Sequence, residues 1–133
     1  EIDEFDDNQR NIFNYGHTFG HAIEAITSYS IPHGQAISIG MDLANFIALN
    51  KNLLDKNNFN RIHAILNKNM PQFSFSEDNI EKYCEALSKD KKNKGNQLGC
   101  ILCHRPGILE RAYMNIDEDL KKLILSYSKL YLD

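Results

Sequence analysis

The chain has 133 residues, of which 42% are hydrophobic and 25% are charged, and its formal net charge is −3. This composition is typical of a globular domain with a core of ordinary size and excludes a disordered chain. The lysines are scattered and the net charge is acidic, so no nucleic-acid surface is predicted. No apolar run approaches the roughly 20 residues that a membrane span requires, and the acidic first residues are not those of a signal peptide. We therefore expect a cytoplasmic protein.

The hydrophobic pattern predicts a mainly α domain with one short β-hairpin. Helices are predicted at 3–15 and 16–29, where apolar side chains recur every three or four residues. Ser30–Gly34 contains a proline and a glycine and is predicted to end this helical region. A longer helix is predicted over Gln35–Asn52. It is apolar on most sides, which favours a central, buried position, and Gly40 within it indicates close helix packing.

The second half of the chain adds shorter helices and the hairpin. One amphipathic helix is predicted at Lys56–Lys68, where His63 is expected to be a packing or surface residue rather than a metal ligand. A cap at 76–79 predicts another helix at Ile80–Ser88. The remaining elements are the two hairpin strands and a C-terminal helix: Leu98–Cys103, Ile108–Tyr113 and 116–131. Since no repeat or linker divides the sequence, residues 1–133 are expected to form one domain.

The three cysteines are predicted to be buried thiols. Their odd number argues against a disulfide framework. The run Cys100-Ile101-Leu102-Cys103-His104 matches the short C-x-x-C-H pattern of c-type haem attachment. The same residues form the predicted apolar strand, and a free cysteine commonly behaves as a small buried hydrophobic residue. We therefore expect neither haem nor a cysteine zinc site.

Three of the five histidines lie close together in the sequence, at His17, His21 and His33. His17 and His21 are one helical turn apart, so a helix presents both imidazoles on one face. His33 follows the predicted break and can approach from another direction. Histidine is the commonest metal ligand, and a catalytic zinc normally takes three protein ligands. The pattern predicts a metal site with His17 and His33 as ligands; Glu24, two turns from His17, is not expected to complete it.

Arg10 and Asn14 extend this polar pattern towards the N-terminus. They precede His17 and His21 at helical intervals, so the four residues are predicted to share one stripe of a continuous helix. A guanidinium, an amide and two imidazoles form a poor hydrophobic face. Arginine binds carboxylate or phosphate in a bidentate manner, and the amide and a protonated imidazole can add hydrogen bonds. The stripe therefore predicts a site for a polyanion beside the metal.

These residues resemble the 3-dehydroquinate synthase family. The motifs that carry the resemblance are Arg10, NYGHTFGHAIE at 14–24, HGQAISIGM at 33–41, and Asp90-Lys91-Lys92 before the predicted strand. They follow the family's order at compatible spacing through essentially the whole chain, although Gln35 stands where a glutamate is usual. The resemblance implies the family's C-terminal helical domain, with an N-terminal NAD-binding domain in the rest of a longer chain. Glu1 in place of an initiator methionine agrees with that expectation.

The resemblance also implies a role for each motif residue. His17 and His33 would be ligands of Zn²⁺ or Co²⁺, and the third ligand would be a glutamate of the N-terminal domain. The anionic groups of the substrate would be held by Arg10, Asn14, His21 and one of Lys91 and Lys92. Of these, Asn14 and His21 would also assist catalysis.

The implied enzyme is an NAD- and metal-dependent carbon–oxygen lyase that eliminates phosphate. It would convert 3-deoxy-D-arabino-heptulosonate 7-phosphate to 3-dehydroquinate in the shikimate pathway of aromatic amino acid biosynthesis, as a homodimer when intact. Because NAD would be bound mainly by the N-terminal domain, this chain alone is expected to be inactive.

Two alternatives to this activity stay open. Another sugar-phosphate cyclase, such as 2-deoxy-scyllo-inosose synthase, shares much of the histidine pattern, and polyol dehydrogenases share the architecture more distantly. A non-catalytic, stand-alone helical module that binds metal is the other alternative. Arg10 favours the dehydroquinate activity, since it offers a partner for a substrate carboxylate.

Overall fold

The computed structural model describes residues 16–90, 93–105 and 108–133. Within these ranges the chain forms five α-helices and one antiparallel pair of strands. The elements are α1 His17–Ile26, α2 His33–Asn50, α3 Lys56–Leu66, α4 Ile80–Ser88, β1 Gln97–Arg105, β2 Ile108–Asn115 and α5 Glu118–Tyr127. A 3₁₀ turn, Asn67–Asn69, follows α3, and a π-helical turn, Ser128–Leu132, follows α5. The predicted mainly α fold with one hairpin is confirmed; the helix predicted at 3–15 lies outside the described residues.

Helix α2 lies at the centre of the core. Its side chains are buried on most sides, with Ile39, Leu43 and Ile47 fully inaccessible to solvent. Helices α1, α3 and α5 and strand β1 all pack against it. The helix begins directly after Pro32, whose fixed φ is compatible with a helical start. The central, buried helix predicted from its apolar sides is confirmed.

Helices α1 and α2 approach closely because glycines lie at their contact. A Cβ atom added to Gly40 would lie 2.6 Å from the backbone nitrogen of Gly20. A Cβ atom added to Gly20 would in turn lie 3.1 Å from the carbonyl oxygen of Ala36. Neither helix has room for a side chain at these points. The close packing predicted from Gly40 is therefore confirmed.

Gly16 determines where α1 begins. Its φ of +80° is in the left-handed region, which glycine adopts without steric cost, and the first helical residue is His17. A regular right-handed helix cannot pass through such a residue. The prediction of one continuous helical stripe from Arg10 to His21 is therefore wrong at Gly16, although Arg10 itself lies outside the described residues.

The hairpin covers one side of the core and is longer than predicted. Gln97 pairs with Asn115 at one end, and Cys103 pairs with Leu109 near the other. Both faces of β1 are covered, since its consecutive side chains are buried: Leu98, Cys100, Ile101, Leu102 and Cys103. The predicted strand and the burial of its two cysteines are confirmed.

The later helices begin at local caps. Asp55 accepts a hydrogen bond from the backbone nitrogen of Asn58 at 2.7 Å before α3, and Asp117 caps α5 in the same way. Helix α4 has the predicted bounds. In the ranges that the structure describes, no helix combines the length and apolar character needed to cross a membrane.

Candidate functional site at the junction of two helices

The three histidines singled out in the sequence lie together where α1 meets α2. The ring centroids of His17 and His21 are 5.1 Å apart, as expected for neighbours one turn apart on α1. The centroid of His33, the first residue of α2, lies 5.7 Å from that of His17 and 5.9 Å from that of His21. Two separate elements therefore contribute imidazoles to one cluster.

A tight turn brings His33 back to α1. After α1 ends, Ser28 and Tyr29 adopt left-handed conformations with φ of 53° and 60°. The backbone nitrogen of Tyr29 donates to the carbonyl of Glu24 at 2.8 Å, which closes the turn onto the helix. Residues other than glycine rarely adopt this conformation unless the surrounding structure holds them there. The turn thus sets the direction from which His33 approaches.

Glu24 is the acidic member of the cluster. Both of its carboxylate oxygens lie 3.1 Å from Nδ1 of His33. The Glu24 side chain is 10% exposed, whereas that of His33 is 57% exposed, so the carboxylate is the more buried partner of this contact. His21, Glu24 and His33 each offer one ligand atom within 4.8 Å of the others, a separation that one metal ion can bridge.

Glu24 was not predicted to belong to the metal site, but the structure places its carboxylate beside His33. The prediction considered its distance from His17, whereas its contact is with His33 across the turn. The intervals from His17 to His21 and Glu24 are those of residues that recur on one helix face, and this signal could have identified it. The other predicted site residues, Arg10, Asn14, Lys91 and Lys92, lie outside the described residues.

An open groove of about 500 Å³ adjoins the histidine cluster at His21. It runs between α1 and the end of α4, and its lining residues are Thr18, His21, Ala22, Ala25, Ala86, Lys89 and Asp90. Asp90 immediately precedes Lys91 and Lys92 in the sequence. Lys91 and Lys92, one of which the resemblance assigns to the substrate, therefore directly follow a residue that lines this groove.

Two long-range hydrogen bonds hold α1 in place beneath the groove. The hydroxyl of Thr18 donates to the carbonyl of Gly99 in β1 at 3.4 Å, and the hydroxyl of Tyr83 in α4 donates to the carbonyl of Phe19 at 2.9 Å. Complete burial raises the pKa of Tyr83 well above its ordinary value, so its hydroxyl keeps the proton it donates. The cluster thus rests on a helix attached to two further elements.

A second group of titratable side chains joins α2, α3 and α5. Oδ2 of the fully buried Asp42 accepts a hydrogen bond from the hydroxyl of Tyr127 at 2.7 Å and lies 2.8 Å from Nδ1 of His63. Burial raises the pKa of Asp42, although its contacts with Tyr127 and His63 act in the opposite direction. The His63 ring also stacks on Phe59, with centroids 5.8 Å apart. His63 is therefore a packing residue, as predicted.

Comparison with known proteins agrees with the motifs. Residues 1–93 match the family model described as 3-dehydroquinate synthase C-terminal. The chain belongs to this family. The family resemblance predicted from the histidine motifs is thus confirmed on more than half of the chain.

Relatives of the chain include proteins named 3-dehydroquinate synthase. The enzyme of Campylobacter jejuni is 42% identical over 103 residues, which is 77% of this chain and 29% of the relative. The enzyme of Thermoanaerobacter sp. is 36% identical over 123 residues, 92% of this chain and 35% of the relative. The chain therefore spans about a third of the length of the curated relatives it matches.

The fold is also similar to that of a solved sugar-phosphate cyclase. The crystal structure of 2-deoxy-scyllo-inosose synthase complexed with carbaglucose-6-phosphate, NAD⁺ and Co²⁺ superposes with a TM-score of 0.71 at 29% sequence identity. The match covers 86% of this chain and 33% of that protein. The predicted fold class, that of the helical domain of dehydroquinate synthase-like proteins, is thereby confirmed.

Proposed function

We propose that this chain is the metal- and substrate-binding domain of a 3-dehydroquinate synthase, which converts 3-deoxy-D-arabino-heptulosonate 7-phosphate to 3-dehydroquinate and phosphate. The observation that carries the proposal is the convergence of the His17, His21 and His33 rings at the α1–α2 junction. NAD would be bound mainly by an N-terminal domain of a longer chain. The intact enzyme would be a cytoplasmic homodimer.

The side chains of the cluster fit a divalent metal such as Zn²⁺ or Co²⁺. Imidazole nitrogen and carboxylate oxygen are donors that both ions accept. The ligand atoms that lie within 4.8 Å of one another belong to His21, Glu24 and His33. From the family motif we instead assign His17 and His33 as the ligands from this chain, with a third ligand, a glutamate, from the N-terminal domain. When bound, the metal would act as a Lewis acid that polarises a substrate hydroxyl.

His21 is the histidine that we assign to the substrate. It is exposed and lines the groove beside the cluster, so a bound anion could reach its ring without displacing His17 or His33. A protonated imidazole can donate a hydrogen bond to phosphate and can exchange a proton with it. Asn14 would assist His21, and further contacts to the anionic groups would come from Arg10 and one of Lys91 and Lys92.

A chimeric enzyme tests this function directly. This chain would replace the corresponding C-terminal part of the Campylobacter jejuni relative, and phosphate release from the heptulosonate phosphate would be measured with NAD and Zn²⁺. We expect turnover by the chimera and none by this chain alone. A chimera that is folded and binds NAD but releases no phosphate would contradict the proposal.

Two variants of the chimera test the ligand assignment. His17→Ala and His33→Ala should each lower metal affinity by more than the roughly 10–100-fold that loss of a residue hydrogen-bonded to a ligand costs, and activity should fall with it. Metal content would be measured by mass spectrometry, with Glu77→Gln on the exposed turn before α4 as the control. Unchanged metal content in both histidine variants would remove them as ligands.

The structural similarity favours one second candidate, a cyclase of the 2-deoxy-scyllo-inosose synthase type. The carbaglucose-6-phosphate bound to that enzyme is an analogue of glucose 6-phosphate. Neither compound has a carboxylate, whereas the heptulosonate phosphate has one. Arg10→Ala should therefore raise KM for the heptulosonate phosphate if Arg10 pairs with that carboxylate. Faster phosphate release from glucose 6-phosphate than from the heptulosonate would favour the second candidate.

A further inference from the structure

We propose that Glu24 is a positioning residue that holds the imidazole of His33 in the tautomer protonated on Nδ1, so that Nε2 is presented to the metal. The role deepens the proposed function, since it rests on the metal site proposed there. It assigns to Glu24 an action through His33 rather than a bond to the metal.

The contact between the two side chains determines the tautomer. Both oxygens of Glu24 lie 3.1 Å from Nδ1 of His33. An ionised carboxylate can only accept hydrogen bonds, so the hydrogen between the two groups belongs to Nδ1. In a neutral imidazole the other nitrogen then carries the lone pair, and the nitrogen that binds a metal is set by the hydrogen bond that the other one makes.

Burial separates the roles of the two residues. The Glu24 side chain is 10% exposed, and the His33 side chain, whose Nδ1 it contacts, remains 57% exposed. Ligand access is therefore greater at His33 than at Glu24. A carboxylate that orients a metal-binding histidine from behind is a recurring arrangement, and its loss typically costs 10–100-fold in metal affinity.

The backbone supports Glu24 in this position. It lies in the last turns of α1, and its carbonyl accepts the hydrogen bond from Tyr29 that closes the turn leading to His33. Glu24 thus contacts Tyr29, within the turn, through its backbone carbonyl, and His33, at the end of the turn, through its side chain. This fixes the carboxylate and the imidazole relative to each other before any metal binds.

The test reads the tautomer without metal. The ¹⁵N shifts of the His33 ring, recorded for the metal-free chain at alkaline pH, distinguish the two tautomers. The signals are assigned from their loss in His33→Asn. We expect the Nδ1-protonated form in the wild type and in Glu24→Gln, whose amide oxygen also accepts a hydrogen bond. Glu24→Ala should shift the ring towards the Nε2-protonated form.

Titration with Co²⁺ alone then separates positioning from direct ligation. We expect the affinity to fall 10–100-fold in Glu24→Ala and to change only a few-fold in Glu24→Gln, with Glu77→Gln as the control for loss of an acidic charge. Backbone amide spectra confirm that each variant is folded.

Three results would overturn the proposal. They are an Nε2-protonated His33 in the wild type, a tautomer unchanged in Glu24→Ala, or a Glu24→Gln variant that keeps the tautomer but loses as much Co²⁺ affinity as Glu24→Ala. The last result would make Glu24 a direct ligand. Failure of the proposed function is distinguishable, because an inactive chimera leaves the metal-free tautomer unaffected.

Discussion

At the scale of the single residue, Gly40 illustrates how the absence of a side chain positions a functional site. Its Cα faces the backbone of α1. A Cβ atom added to Gly40 would lie 2.6 Å from the backbone nitrogen of Gly20 in that helix. Backbone cannot move aside as a flexible side chain can. The distance between α1 and α2, and with it the separation of His21 and His33, therefore depends on this position.

We expect Gly40→Ala to lower the free energy of unfolding by about 1–3 kcal/mol, because overpacking forces the two helices apart. Urea denaturation measures the loss, and Co²⁺ titration should show weaker binding as the histidines separate. Gly34→Ala is the matched control, since an added Cβ at Gly34 meets nothing within 4 Å. A Gly34→Ala variant as unstable as Gly40→Ala would contradict this explanation.

Cys100 gives a chemical measure of burial at one residue. Burial raises the pKa of its thiol to about 12. Because the thiolate is the reactive form, roughly one Cys100 in 10,000 would be reactive at about pH 8. We expect alkylating reagents to leave Cys100 unmodified in the folded chain and to label it in urea, as followed by mass spectrometry of the tryptic peptides. Rapid labelling of the folded chain would show that β1 is not buried.

At the scale of the elements, one buried carboxylate links three helices. Asp42 of α2 is bonded to His63 of α3 and Tyr127 of α5. Burial raises the pKa of Asp42 above its ordinary value of 3.8. The folded state therefore binds a proton that the unfolded state has already released. The stabilisation that this proton contributes to the folded state is fully present below pH 3.8, and it is lost as the pH rises through the raised pKa of Asp42.

The variant Asp42→Asn should lack this pH dependence, because an amide does not titrate. We expect the difference in unfolding free energy between wild type and Asp42→Asn to move in favour of the wild type as the pH falls from about 7 to about 4. Tyr127→Phe removes a hydrogen bond that lowers the pKa of Asp42 and should extend the dependence to higher pH. Urea denaturation at a series of pH values measures both effects. A constant difference between wild type and Asp42→Asn would be evidence against the raised pKa.

At the scale of the whole molecule, the proposed metal connects two helices of the core. His17 belongs to α1 and His33 to α2, so an ion bound by both binds the folded chain in preference to the unfolded one. A ligand at 100 times its Kd stabilises the folded state by about 2.7 kcal/mol. We expect saturating Co²⁺ to raise the unfolding free energy by about this amount and a chelator to reverse the effect.

The matched variants are His17→Ala and His33→Ala, in which the added stability should largely disappear. His63 contacts the buried Asp42, so its replacement would itself change the stability of the fold. The exposed Glu77→Gln variant is therefore the control. Equal stabilisation by Co²⁺ in the wild type and in both histidine variants would place the metal elsewhere.

Local sequence patterns were sufficient to predict the family, the order of the elements and the histidines of the candidate site. Helical periodicity and capping are local properties, so α4 was predicted at its observed bounds and the buried character of α2 was evident from its apolar sides. The histidine motifs were specific enough to indicate the family because several chemically distinct residues recur at defined spacing.

The side chains that meet across the fold could be identified only from the packed structure. The contact of Glu24 with His33 depends on the left-handed residues Ser28 and Tyr29 between them, which the pattern of the sequence showed only as a break. Asp42 and Tyr127 are 85 residues apart in the chain and meet through the packing of two helices. Such contacts depend on backbone direction and on the distance between packed elements, and neither quantity is encoded in local periodicity.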